Sequence, residues 1–254
     1  ETFRLEVEDI HISTSVGRVL AEDIFADMDL PPFDRSQMDG FAVKTEDVED
    51  APTKLKIVGE SVAGKGWHNE IKSGEAVRIM TGASVPTGAD SVQKVELTEE
   101  NDGIITILHS TKTQQNIVKK SQEIKNGEKV FDKGEVITEN MIATLASFGY
   151  ENIKVSKRPR VKILATGSEI VDISQTPAQD QIRNSNSWSL RAFAQSFADV
   201  DISPIAVDDL ENLQNTIKEA SIDCDCLIIS GGVSVGDYDF TKPALRQLGA
   251  EMFF

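Results

Sequence analysis

From Arg160 onward, apolar runs of strand length alternate with amphipathic runs of helix length, and this order limits the possible folds more than any other feature. "VKILAT" reads as a strand, "SNSWSLRAFAQSFADV" as a capped helix and "DISPIAV" as a second strand. "DDLENLQNTIKEA" is then an amphipathic helix, "DCLIIS" a third strand and "DFTKPALRQLG" a helix ending at Gly249. Strands joined through helices return to the same edge, so the pattern predicts a parallel, doubly wound sheet. Up to about Lys125 the texture differs. Short β-like runs ("LKIVG", "AVRIM", "SVQKVE", "GIITILH") are broken by Gly, Pro, Asn and Asp, the spacing of an all-β module. Between the two, "TENMIATLASFG" predicts a helix with its cap at Thr138 and its stop at Gly149, and "SKRP" reads as a linker.

An open parallel sheet binds ligands beyond the carboxyl ends of its strands. Those ends are "ATGSEI" with Glu169, "VDDL" with Asp208 and Asp209, and "SGGVSVGDYD" from Ser230 to Asp239. Some of these residues have a simpler reading: Asp208 or Asp209, and Asn184, Ser185 or Asn186, are also good helix N-caps. The glycine loop is more specific. Gly231, Gly232 and Gly236 let backbone N–H groups approach a phosphate, Ser230 and Ser234 add donors, and a helix N-terminus follows. The loop lacks the Lys of a Walker A motif, which disfavours ordinary nucleoside triphosphatase chemistry. Asp237 and Asp239 would repel a phosphate unless Mg²⁺ bridged them to it.

The β-rich part adds three polar stretches. "LPPFDRSQMDGFAV" reads as a stiff approach to an Asp39-Gly40 turn. "MTGASVPTGAD" offers the Thr81 hydroxyl and the Gly82 backbone to a ligand, with an ordinary surface loop as the alternative. "NIVKKSQEIKNGEKVF", which carries a Lys pair and Glu123, reads as a solvated loop.

The 254 residues carry a formal charge of −16, which argues against sequence-independent nucleic-acid binding, since neutralising phosphates takes clustered Lys and Arg. An anionic ligand would have to reach these acids through a cation. No apolar run approaches the roughly 18 residues of a membrane span, and no signal-peptide pattern opens the chain, so a cytoplasmic location is expected. Cys224 and Cys226 are expected as small buried residues on one strand face, without a disulfide or a zinc site. The first residue is not Met and the last are "GAEMFF", an apolar run, so the sequence reads as a fragment.

Taken together, "PPFDRSQMDGFAV", "MTGASVPTGAD" and "SGGVSVGDYDFTK", with "ATGSEIV" and "QIRNSN" between the last two, resemble the motifs of the MoeA family, the molybdopterin molybdenumtransferases, whose eukaryotic relative is the gephyrin E domain. The likeness runs over nearly the whole chain. It implies a multi-subdomain fold, α/β plus β-rich: a linking α+β subdomain (1–25 and 124–158), a β-rich subdomain (26–123) and an adenylyltransferase-like, molybdopterin-binding α/β subdomain with a doubly wound parallel sheet (159–254) that is incomplete at its C-terminus, where the family adds a C-terminal β subdomain. It implies insertion of molybdate into adenylylated molybdopterin, with Mg²⁺ assistance and release of AMP. The implied assembly is a homodimer whose active site lies between the α/β part of one subunit and the β-rich part of the other, with a molybdopterin adenylyltransferase as a candidate partner. Matched residue by residue, the catalytic set is Asp39, Thr81, Glu169, Asp208 and Asp239. Pterin or phosphate falls to Gly82, Ser230, Gly231, Gly232, Ser234, Asn184 and Asn186, and Mg²⁺ to Asp239, Asp208, Glu169 and Glu123. The sequence departs from the family at Arg35 (usually Asn), Ser168 (usually an acid) and Ser121-Gln122-Glu123 (usually Gly-Glu-Asp). An adenylyltransferase-type enzyme and a non-catalytic scaffold on the same fold are the rival readings.

Overall fold

The structure, a computed structural model, describes residues 5–207, 209–232 and 240–253. Chain contacts divide it into two compact units, residues 23–131 and residues 1–22 with 132–254.

Residues 23–131 are built on a six-stranded sheet. Its order is Ser91–Lys94, Gly40–Val43, Glu75–Ile79, Thr53–Ser61, Ile104–Ile107, Thr98–Asn101. Neighbours are antiparallel except Thr53–Ser61 and Glu75–Ile79, which run parallel with a bulge between Ile57 and Gly59. The Gly40–Val43 strand is buried throughout, because successive side chains enter opposite cores. Phe41 and Val43 pack with Leu55, Ala76, Ile105 and Ile107, while Ala42 packs with Ile79, Ala83, Val92 and Ile117. Each large aliphatic side chain so buried contributes roughly 1.5–3 kcal/mol relative to exposure.

Asp39-Gly40 is not the expected turn. Gly40 opens the strand, paired with Lys94 on one side and Ile79 on the other, and its φ is not positive. Glycine is required here for space, since a Cβ would lie on the Gln93 carbonyl oxygen. The Leu30–Pro31 peptide upstream is cis.

In the second unit, Val7–His11 pairs antiparallel with Asn152–Ser156, and helix α1 (Glu139–Ser147) follows Thr138 at its N-cap. The expected parallel sheet is present, in the order Asp199–Ile202, Arg160–Ala165, Cys226–Ser230. Helix α2 (Ser185–Ala194) covers one face, where Val161, Ile163 and Ile228 meet Leu190 and Ala198. Helices α3 (Leu210–Ala220) and α4 (Thr241–Gln247) cover the other, where Leu164, Leu227 and Ile229 meet Leu213, Ile217 and Ala244. The period-2 alternation within one strand therefore serves two layers, which makes the sheet doubly wound.

Three details differ from expectation. The second strand is Asp199–Ile202 rather than "DISPIAV", because Pro204 has no N–H for a ladder; pairing resumes only at the Thr166–Ala206 bridge. Helix α2 stops at Ala194, where Arg158 Nη2 donates to the carbonyls of Gln195 at 2.5 Å and Ala198 at 2.8 Å. This Arg belongs to the segment expected to be a linker only. Cys226 is exposed and Cys224 half-buried, with Cys224 Sγ donating to the Cys226 carbonyl before the strand begins, so neither is a core residue.

Gly40→Ala forces apart the strands that carry Asp39 and Gln93. The expected loss is about 1–3 kcal/mol, read as a lower urea midpoint with an unchanged slope.

Candidate active site

In the β-rich unit, the bend at 37–39 brings Asp39 beside the turn that follows Glu75–Ile79. Thr81 donates twice to one carboxylate oxygen, Asp39 Oδ1: its backbone N–H at 2.7 Å and its hydroxyl at 2.7 Å. Those two donors hold the Asp39 carboxyl below the usual carboxylate range, the backbone N–H first, against a smaller opposing effect of burial. Gly82, at φ +81°, turns the chain so that its own N–H reaches the Ser36 carbonyl at 2.8 Å. Asp39 and Thr81 line a cavity of about 550 Å³ with Met38, Lys94, Glu96 and Leu97. In the sequence Lys94 and Glu96 stand within a β run, and only the strand pairing, which sets Lys94 opposite Gly40, brings them to this cavity. A second cavity of about 400 Å³ reaches Gly82 and is walled by Phe33, Trp67 and His68.

Glu123 is not a free solvated acid. It pairs with Arg35 at 3.3 Å, while the neighbouring Lys119 and Lys120 pair with Asp34 at 2.7 Å and Asp29 at 3.2 Å. Burial opposes ionisation of Asp34, but Lys119 and the Lys120 N–H outweigh it and lower its pKa.

In the α/β unit the strand ends converge as topology requires. Thr166 closes one strand, its N–H donating to the Ser230 carbonyl of the next at 2.9 Å. Gly231 (φ +108°) and Gly232 (φ +61°) lie directly on Thr166, and a Cβ on either would come within 2.8 Å and 3.0 Å of Thr166 Oγ1. Thr166 is 3% exposed and its Oγ1 has no hydrogen-bond partner among the described residues. Nearby, Asn184 caps α2 by accepting from the Ser187 N–H at 3.1 Å, and Asn186 Nδ2 donates to Ser230 Oγ at 3.4 Å. Ser187 Oγ is likewise buried without a partner. Two orphan hydroxyls at one sheet edge are unusual, since buried polar groups normally find partners. They mark a place where a ligand would supply hydrogen bonds.

Glu169 is exposed on the same loop, its carboxylate beside Gly167. Asp209 is the N-cap of α3, accepting from the Asn212 N–H at 2.8 Å. Asp208, Ser234 and Asp239 lie outside the described residues. No group of three or more His, Cys, Asp or Glu that could hold a metal ion occurs among the described residues, so they do not by themselves form a magnesium site. The opposite sheet edge offers a contrast. A cavity of about 480 Å³ there contains Lys157, Arg158 and Arg160, each already paired with a carboxylate: Glu6, Asp199 and Asp225 respectively.

Residues 162–253 match the family described as "Probable molybdopterin binding domain", and residues 1–149 match "MoeA N-terminal region (domain I and II)". The chain belongs to the MoeA family. Among its relatives are proteins named molybdopterin molybdenumtransferase from Staphylococcus epidermidis (38% identical over 257 residues, 98% of this chain and 61% of the relative) and Staphylococcus aureus strain N315 (39% over 250 residues, 96% and 60%). A crystal structure of a molybdopterin biosynthesis MoeA protein from Pyrococcus horikoshii superposes with a TM-score of 0.84 at 32% identity, covering 97% of this chain and 63% of that one. The chain thus spans about three-fifths of the length of these relatives.

Thr81→Val keeps the backbone donor and removes the hydroxyl donor, so the Asp39 pKa rises toward the unfolded value near 3.9. Asp39 is more acidic folded than unfolded. Its stabilising contribution is therefore present above about pH 4 and disappears as pH falls through the folded value. Carboxyl NMR titration should show the upward shift, and the stability gap between variant and parent should close in that acid range.

Proposed function

We propose that the protein inserts molybdate into adenylylated molybdopterin with release of AMP, as a molybdopterin molybdenumtransferase. The observation that carries this reading is the strand-end cluster of Thr166, Ser187, Ser230, Gly231 and Gly232, with its orphan hydroxyls, inside the segment matched as a molybdopterin binding domain. In this reading Ser230, Gly231 and Gly232, with Asn186 and Gly82, contact the pterin or its phosphate, and Asn184 fixes the start of α2. Ser234 belongs to the same loop.

Asp39 and Thr81 orient molybdate or the attacking water. With Oδ1 held by both Thr81 donors, Asp39 keeps Oδ2 to accept a proton or a hydrogen bond. Mg²⁺, when bound, neutralises the phosphoanhydride and polarises it toward cleavage. Glu169, Asp208 and Asp239 are its proposed ligands, whereas Glu123 is engaged by Arg35. Homodimerisation, a molybdopterin adenylyltransferase as supplier of substrate, the three-subdomain division and a cytoplasmic location complete the proposal. No helix among the described residues is long and apolar enough to cross a membrane. The match of residues 1–149 favours this activity over adenylyl transfer, which has no need of the stretches around Asp39 and Thr81.

The test is AMP release from adenylylated molybdopterin with molybdate and Mg²⁺, using protein extended to the length of its relatives. Asp39→Asn and Asp239→Asn should each lower the rate by about a hundredfold or more, the scale of positioned acid-base groups. Rates equal to the parent's would remove both residues from the mechanism.

A further inference from the structure

We infer that Lys94 is the anion-binding residue of the Asp39–Thr81 cavity and that its ligand is a doubly charged tetrahedral oxoanion. This rests on the proposed function and adds to it the group that makes the site electrostatically workable.

The cavity poses a problem for any anion. Asp39 and Glu96 both line it, and a dianion placed against two carboxylates is repelled. Lys94 is the basic residue on its wall. It closes the Ser91–Lys94 strand, with its backbone paired to Gly40 and its N–H donating to Gln93 Oε1 at 3.0 Å. The next N–H, that of Val95, donates to the Asp39 carbonyl at 3.0 Å, so the backbones of Lys94 and Asp39 are fixed against each other.

Lys94 also stands apart from comparable residues. Of the half-buried basic side chains in this unit, Arg35, Lys44, Arg78 and Lys119 pair with Glu123, Glu46, Glu100 and Asp34. Lys94, equally half-buried, has no ion pair among the described residues, although two carboxylates share its cavity. An ammonium that has lost part of its water without gaining a carboxylate keeps its donors for another partner. The Thr81 donors, by contrast, are committed to Asp39 Oδ1. Lys94 is therefore the group able to hold molybdate or the substrate's phosphate next to Asp39.

The experiment measures binding of sodium molybdate and, separately, of AMP to the 254-residue chain by calorimetry, in parent, Lys94→Gln, Lys94→Arg and Glu96→Gln. Loss of one charge-assisted contact predicts about tenfold weaker binding in Lys94→Gln, substantial recovery in Lys94→Arg and tighter binding in Glu96→Gln. Weakening confined to molybdate assigns the free oxoanion; weakening confined to AMP assigns the phosphate ester. Equal affinity of parent and Lys94→Gln for both ligands overturns the inference, as does a parent that binds neither. The outcomes separate from those for the proposed function. Reduced AMP release in Asp39→Asn with unaltered binding in Lys94→Gln removes Lys94 alone, whereas a Lys94→Gln binding defect with no AMP release from the extended parent protein retains the anion site and removes the reaction.

Discussion

At Gly40 and again at Gly231 and Gly232, the backbone passes so close to a neighbouring segment that a methyl group has no room. Gly40 lets its strand lie against Gln93, which sets Asp39 between Thr81 and the Lys94 strand end. Gly231 and Gly232 let the third strand of the α/β sheet fold down onto Thr166, whose hydroxyl is buried with no partner among the described residues. Only at the last two does a positive φ add to the steric requirement. Within each unit, taken by itself, the polar groups are positioned by a close approach that glycine permits.

Arg35 and Glu123 illustrate what a sequence alone cannot connect. Each appears, 88 positions apart, as a departure from the family pattern: a cation for a neutral amide and a longer acid for a shorter one. In the folded unit they meet at 3.3 Å, across the short ladder in which Arg35 pairs with Val118. A surface pair of this kind contributes little to stability, on the order of 0–1 kcal/mol. Its consequence here is chemical: the two departures answer each other, and Glu123 is occupied by a guanidinium. Arg35 Nε is buried with no hydrogen-bond partner among the described residues.

The α/β unit was legible because its signals are local. Strands of four to six residues and helices with a polar face write their period directly into the chain, and strand ends follow from strand order. Thr166 was not legible, since its burial depends on the glycines of another strand. The β-rich unit was legible as β but not in its pairing: nothing in "SVQKVE" shows that Lys94 lies opposite Gly40. The Asp-Gly turn failed for a related reason. Asp-Gly favours tight turns by local preference, but here a neighbouring strand required a residue without a side chain. Arg158 failed as a mere linker because it binds carbonyls that follow the end of a helix some forty residues on.

For a chain of net charge −16, binding an anion requires that its few effective cations be concentrated. In the described structure most half-buried basic side chains are already paired with carboxylates, as are Lys157, Arg158 and Arg160 at the sheet edge opposite the glycine loop. Paired cations shape the fold and attract a ligand weakly, because the neighbouring carboxylate cancels their field at short range. What remains for an anion among the described residues is, in the α/β unit, the hydroxyls of Thr166 and Ser187 and, in the β-rich unit, the Lys94 ammonium. The acidity of the surface then acts as a filter. A polyanion is turned away at a distance, while a small dianion that reaches the cavity meets donors that no carboxylate has already taken.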